Sequence, residues 1–289
     1  MRKLIVLVDG SWCGSETNTR SNIFILAEMM GINMALYNPA QAQPIQYQDA
    51  TRGINACYFP GAGLGGTFLE YIFNGATAHD IDRDCIDVYR YIVENYIPMH
   101  EIWMFGLSRG AYTVRCVAGM INNCGILKRM NEDGVLLGPI LLERMYHRVY
   151  RIYRSDDPED HPQTPRSTEF RTQASHNVPT PVKFMGLFDT VGSLGIPYLN
   201  PGLRRYIMPS PSMTDFGGSY PVTHYQPYNE LENNLKSMSD GSLVVTTISA
   251  ASGFDFCDTE RTGLNASLVM SLLLSRTSLS QTKSLPTLY

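Results

Sequence analysis

A chain of 289 residues with 44% hydrophobic side chains can bury one large core, and it suits one α/β domain better than two independent ones. Its formal charge of −4 and pI near 5.9 leave no basic footprint for a phosphate backbone, so nucleic acid is not an expected partner. No apolar run approaches the roughly 18 residues of a spanning helix, since even the stretch 268–274 is interrupted by Ser271 and followed by Ser275 and Arg276.

Residues 4–8 (Leu-Ile-Val-Leu-Val) are continuously apolar and end at Asp9-Gly10, which predicts a parallel strand buried on both faces rather than a signal-peptide core. Residues 22–30 carry Ile23, Leu26, Ala27 and Met30 at helical spacing before the stop at Gly31. A second strand is expected at 54–59, closed by Pro60-Gly61. A helix is expected at 80–96, where Ile81, Cys85, Val88, Tyr89, Ile92 and Tyr96 recur at threes and fours. A short strand at 101–105 and a helix at 111–122 flank a sharp turn. A helix at 136–153 follows, then a polar, five-proline stretch at 154–181 read as a surface excursion or lid. Strands are expected at 182–188 and 243–248. One α/β domain thus runs over 1–250, ahead of an irregular tail at 251–289. Six cysteines (Cys13, Cys57, Cys85, Cys116, Cys124, Cys257) lack any CxxC spacing and read as reduced thiols, favouring the cytoplasm.

The chemistry concentrates at Gly106-Leu107-Ser108-Arg109-Gly110. A serine hydroxyl needs a base, an acid to orient that base, and donors for an oxyanion before it performs acyl transfer. In G-x-S-x-G the serine sits in a tight strand-to-helix turn whose flanking positions have no room for side chains. The pattern alone is common by accident, and the expected strand before it and helix after it are what make it a nucleophile elbow; the alternative is a serine that caps the helix beginning near Arg109. The chain order serine, acid, histidine selects Asp189, which ends the later strand, and the alternative for Asp189 is a turn-forming aspartate. Of six histidines only His224 lies beyond Asp189, so it is the candidate base by elimination, and a surface histidine fits it equally well. Oxyanion donors are expected from the backbone N–H of Arg109 and from the Gly10-Ser11 loop. Asp9 either holds that loop or begins it as an Asx-turn, and the Arg109 side chain meets either an anionic substrate group or a structural ion pair.

Five segments together resemble a family of α/β-hydrolase domains that includes type VI secretion phospholipase-like lipase effectors and many fungal proteins. They are Val8-Asp9-Gly10-Ser11-Trp12, Thr19-Arg20-Ser21-Asn22-Ile23, Tyr58-Phe59-Pro60-Gly61-Ala62-Gly63, Phe105-Gly106-Leu107-Ser108-Arg109-Gly110-Ala111-Tyr112 and Gly186-Leu187-Phe188-Asp189-Thr190-Val191-Gly192-Ser193. The resemblance implies an α/β-hydrolase fold and a serine hydrolase of carboxylic esters, plausibly of lipids, with Ser108 as nucleophile and Asp189 as acid. Two departures stand out: Ser11 where threonine is usual, and no family-like histidine segment after residue 200.

Two readings compete. Gly61-Ala62-Gly63-Leu64-Gly65-Gly66 satisfies a dinucleotide-binding pattern, but Pro60 interrupts the entry and the acids some 20 residues on begin a helix. The non-enzyme alternative is a hydrolase-like fold whose triad has lapsed, leaving a binding protein. No metal-ligand spacing occurs and no cofactor is expected. The expected partner is a small-molecule or lipid ester, with peripheral membrane contact and oligomeric state left open.

Overall fold

A computed structural model describes residues 2–10, 20–38, 43–61, 78–107, 109–131, 133–155, 157–178, 182–188 and 244–248. Six strands form one sheet in the order β2-β3-β1-β4-β5-β6, with β1 Arg2–Val8, β2 Ile45–Asp49, β3 Ile54–Phe59, β4 His100–Leu107, β5 Val182–Phe188 and β6 Val244–Ile248. All neighbours are parallel except the edge pair β2 and β3. Among the described residues five α-helices accompany them: α1 Asn22–Met30, α2 Ala78–Asn95, α3 Arg109–Cys124, α4 Pro139–Tyr153 and α5 Pro165–Ala174.

β1 shows why the sheet is covered on both sides. Leu4, Val6 and Val8 face the core beneath α2, α3 and α4, whereas Ile5 and Leu7 face the core that α1 closes with Ile23, Leu26 and Met30. Each of these strand side chains is at most 4% exposed, the two-sided burial that a parallel sheet requires. α1 begins where Ser21, in extended backbone, accepts the Phe24 N–H, and it stops at Gly31, whose φ of 98° is left-handed. α3 is buried at every residue because α2, α4 and α5 pack around it.

The expected strands and helices are present, with ends moved by a few residues. The antiparallel strand β2 has no counterpart in the sequence reading: its Ile-Gln-Tyr-Gln-Asp is half exposed and short, as suits a sheet edge, and too polar to stand out. The start of the 136–153 helix is instead a tight hairpin. Leu137 N–H donates to Arg129 O at 2.8 Å and Asn131 N–H to Val135 O at 2.9 Å, and α4 begins only at Pro139. Within 154–181, a 3-10 turn (Pro158–Asp160) and α5 close over the carboxyl end of α3, where Arg171 donates to Asn123 O at 2.8 Å and Ser175 Oγ to Cys124 O at 2.6 Å. This part of the segment therefore sits at the amino end of the sheet.

At that same end the Tyr96 ring lies 6.2 Å from His100 and 5.5 Å from His176. Burial lowers the pKa of both imidazoles, helped by Arg2 beside His100 and by Lys128 and Arg129 beside His176. Below about pH 6.5 the unfolded chain protonates these histidines while the folded chain resists, so stability is lost as pH falls through the unfolded value toward the lowered folded ones. Urea midpoints are expected to drop between pH 7 and pH 5, and a His100→Gln/His176→Gln chain is expected to show a flatter dependence.

Candidate active site

β1 and β4 are neighbours with Val8 level with Gly106, and the helices that follow them lie on opposite faces of the sheet, α1 on one and α3 on the other. A parallel sheet opens a crevice at such a point, beyond the carboxyl ends of its strands. The elements at that crevice are the turn from β4 to α3 and the loop after β1.

β4 ends at Leu107 and α3 begins at Arg109, so one residue separates them in the chain. The glycines on either side are required by contact. A Cβ on Gly106 would stand 2.6 Å from the Cα and N of Ala111 and from the carbonyl of Gly110. One on Gly110 would stand 2.2 Å from the carbonyl oxygen of Val8 and 2.7 Å from that of Asp9. The first turn of α3 thus rests directly on the end of β1, and only hydrogen at position 110 permits it.

On the other side of the crevice, the Asp9 carboxylate is 2% exposed and is held by several donors. Its Oδ1 accepts the Gly10 N–H at 2.8 Å, and its Oδ2 accepts Ser21 Oγ at 2.6 Å and Tyr58 Oη at 2.7 Å. A buried carboxylate with this many donors is a fixed point rather than a mobile acid. Ser21 is shared: its oxygen also accepts the Phe24 N–H at 2.9 Å, which ties the helix start to the loop. The loss of both bonds in Ser21→Ala is expected to destabilise the chain by about 2 kcal/mol, read as a lower urea midpoint with an unchanged m-value.

Of the residues singled out from sequence, Asp9, Gly10 and Arg109 meet at this crevice. The Arg109 side chain is buried, and its Nη2 lies 3.6 Å from Oδ2 of Asp84 on α2, while its carbonyl accepts Thr113 Oγ1 at 3.2 Å. Of the two fates open to it, the structure shows the ion pair. Ser11, Ser108, Asp189 and His224 lie outside the described residues, as does 62–77 with most of the glycine-rich run. The ladder still fixes their neighbours: Leu107, just before Ser108, is paired with Phe188, just before Asp189, on adjacent parallel strands. His100 stands at the far end of β4 and His176 packs beside it on Tyr96, so neither is near the turn. Sequence reasoning missed Ser21, Tyr58 and Asp84. Ser21 two residues after Thr19 and one before a helix carried a capping signal, and nothing local marks Tyr58 as the partner of Asp9.

The mostly parallel sheet, its antiparallel edge and the strand-turn-helix at its centre define an α/β-hydrolase-like fold. A family model described as the catalytic domain of Tle1-like phospholipase effectors of type VI secretion matches residues 2–232, and the chain belongs to that family. It is also 28% identical over 159 residues to the uncharacterized protein YEL023C of Saccharomyces cerevisiae. The match covers 48% of this chain and 22% of that protein, so the chain spans about a fifth of its curated relative. Among solved structures it is similar to the butyrate-bound esterase Est2 of Thermogutta terrifontis, at 13% identity and a TM-score of 0.36, covering 98% of this chain and 86% of that one. It is likewise similar to a tributyrin-phosphonate-inhibited esterase B of Lactobacillus rhamnosis, at 11% identity and a TM-score of 0.36, covering 95% and 76%.

Proposed function

We propose that the chain is a serine hydrolase of carboxylic esters of the phospholipid class, working through an acyl-enzyme on Ser108. The observation that carries this reading is the single-residue junction between β4 and α3, walled by two glycines that tolerate no Cβ, at the crevice where a parallel sheet binds its ligand. Membership of a phospholipase-like family supports the substrate class.

In this mechanism the Ser108 hydroxyl gives its proton to His224 as it attacks the ester carbonyl, Asp189 orients the imidazole, and the alcohol leaves with the proton returned by His224. Water then repeats the sequence on the acyl-serine and releases the acid. Pairing of Leu107 with Phe188 supports the partnership of Ser108 and Asp189, since these two strand-end residues, each one position before a member of the pair, are Cα partners on adjacent parallel strands. One oxyanion donor is the Arg109 N–H at the start of α3. Because Asp9 already engages the Gly10 N–H, we assign the second donor to the N–H of Ser11, with Asp9, Ser21 and Tyr58 as positioning residues for that loop. Buried free thiols at Cys57, Cys85, Cys116 and Cys124 agree with a reducing compartment, and we place the chain in the cytoplasm.

The test is labelling with a fluorophosphonate probe, which reacts only with an activated serine. Wild type is expected to label and Ser108→Ala to stay blank; loss of labelling in His224→Ala supports that base, and undiminished labelling removes it. A wild type that does not label at all favours the lapsed binding protein.

A further inference from the structure

The outer face of α4 combines exposed apolar and cationic side chains. Ile140, Arg144, His147 and Arg151 are exposed and spaced by fours and threes, so they form one stripe along the helix, with exposed Arg148 and Leu141 beside it. The hairpin that precedes the helix extends the stripe with apolar side chains. Met130 and Leu136 are bridged across it and are 51% and 61% exposed; Val135 is 60%, Ile140 72% and Leu141 47% exposed. Five large apolar side chains gathered on one small surface are more than scattered exposure produces.

The charges around them are mostly cationic. Lys128 and Arg129 lead into the hairpin, and Arg144 and Arg151 form no ion pair among the described residues. Arg148 rests over the Phe170 ring at 5.1 Å. The acids described here are Asp133, at the hairpin tip, and Glu143, which is occupied by Arg90 at 2.7 Å and faces His147 at 3.3 Å. A cationic, apolar-tipped face on a chain of formal charge −4 is a local device rather than a by-product of composition.

We propose that α4 and the hairpin before it form a surface for an anionic phospholipid bilayer. The apolar tips enter the headgroup region while Arg144, Arg148 and Arg151 meet lipid phosphates and carboxylates. No helix among the described residues is long and apolar enough to cross a membrane, so this is adsorption onto a leaflet. The orientation follows from the packing. α4 runs antiparallel to α2, with Glu143 beside Arg90 and Tyr150 bonded to Asp82, so the stripe climbs the flank of the domain from the amino end of the sheet toward the level of Asp84 and Arg109. A bilayer held along this flank brings the crevice to the membrane edge.

Binding to this surface needs no catalysis, so the experiment uses the full chain carrying Ser108→Ala, which leaves vesicles intact and separates this inference from the serine reading. Co-sedimentation is measured with vesicles of phosphatidylcholine alone and with about three in ten lipids replaced by phosphatidylserine. Binding to the anionic vesicles only, weakened in high salt, is expected. Arg144→Glu/Arg151→Glu is expected to weaken it by about tenfold or more, and Leu136→Ser/Ile140→Ser by about tenfold. All four positions are exposed, and far-UV circular dichroism verifies that the variants fold. Equal binding to neutral vesicles, or variants that bind as the parent does, overturns the proposal. So does a parent that ignores vesicles but forms a dimer abolished by Leu136→Ser/Ile140→Ser, which assigns the face to a second copy.

Discussion

Ser108→Ala is expected to lower hydrolysis of a short-chain nitrophenyl ester by about four orders of magnitude or more, with KM nearly unchanged. Removing the nucleophile of a serine, histidine and acid unit eliminates the covalent route while leaving substrate contacts in place, so the loss falls on kcat. The residual rate comes from the oxyanion donors and from binding. The donors proposed above are backbone groups at Arg109 and in the loop after Gly10, which the substitution does not touch. A variant that keeps a tenth of the parental kcat would mean that the ester is attacked by some other group. Stopped assays on purified parent and variant, matched for folded protein by circular dichroism, distinguish the two.

Gly110→Ala is expected to be the most damaging single methyl addition in the described structure. The new carbon would sit 2.2 Å from the Val8 carbonyl oxygen and 2.7 Å from that of Asp9, both backbone atoms. A flexible side chain could swing aside, but here either β1 or the start of α3 has to move, and both are buried. Overpacking of this kind costs about 3 kcal/mol, which for a domain of this size lowers Tm by about 10 °C. Because the displaced atoms include the Arg109 turn and the Asp9 loop, kcat is expected to fall further than the loss of folded protein accounts for. A Gly110→Ala chain with parental Tm would contradict the close seat of α3 on β1.

The outline of the fold was legible because parallel strands buried on both faces leave an unbroken apolar signature. Residues 4–8 are such a run and 182–188 is one broken only by Lys183, and their strands appear at Arg2–Val8 and Val182–Phe188. The edge strand β2 was invisible for the opposite reason: one face is wet, so its Ile-Gln-Tyr-Gln-Asp reads as loop. The helical pattern over 136–138 also misled, since Leu136 and Leu137 belong to a hairpin in which Leu136 is exposed and Leu137 only half-buried, so neither carries information about a core.

At the site, the turn was legible because its requirement is local: two glycines four residues apart, with a serine midway between them, leave a mark in sequence. The ligands of Asp9 were not, because Ser21 and Tyr58 reach it from 12 and 49 residues away, and only the pairing of β1 with β3 brings the tyrosine there. The same is true of Arg109 and Asp84, whose meeting depends on α2 lying beside α3. A role that depends on tertiary approach leaves no spacing to read, whereas one that depends on backbone crowding does.

The most direct measurement is a crystal structure of the chain after reaction with a phosphonate ester. The account predicts phosphorus bonded to Ser108 Oγ, a phosphoryl oxygen within hydrogen-bond reach of the Arg109 N–H and of the loop after Gly10, and the His224 imidazole about 3 Å from Oγ with Asp189 behind it. Phosphorus on another residue, or a Ser108 hydroxyl packed inside the protein away from Asp189, would contradict it.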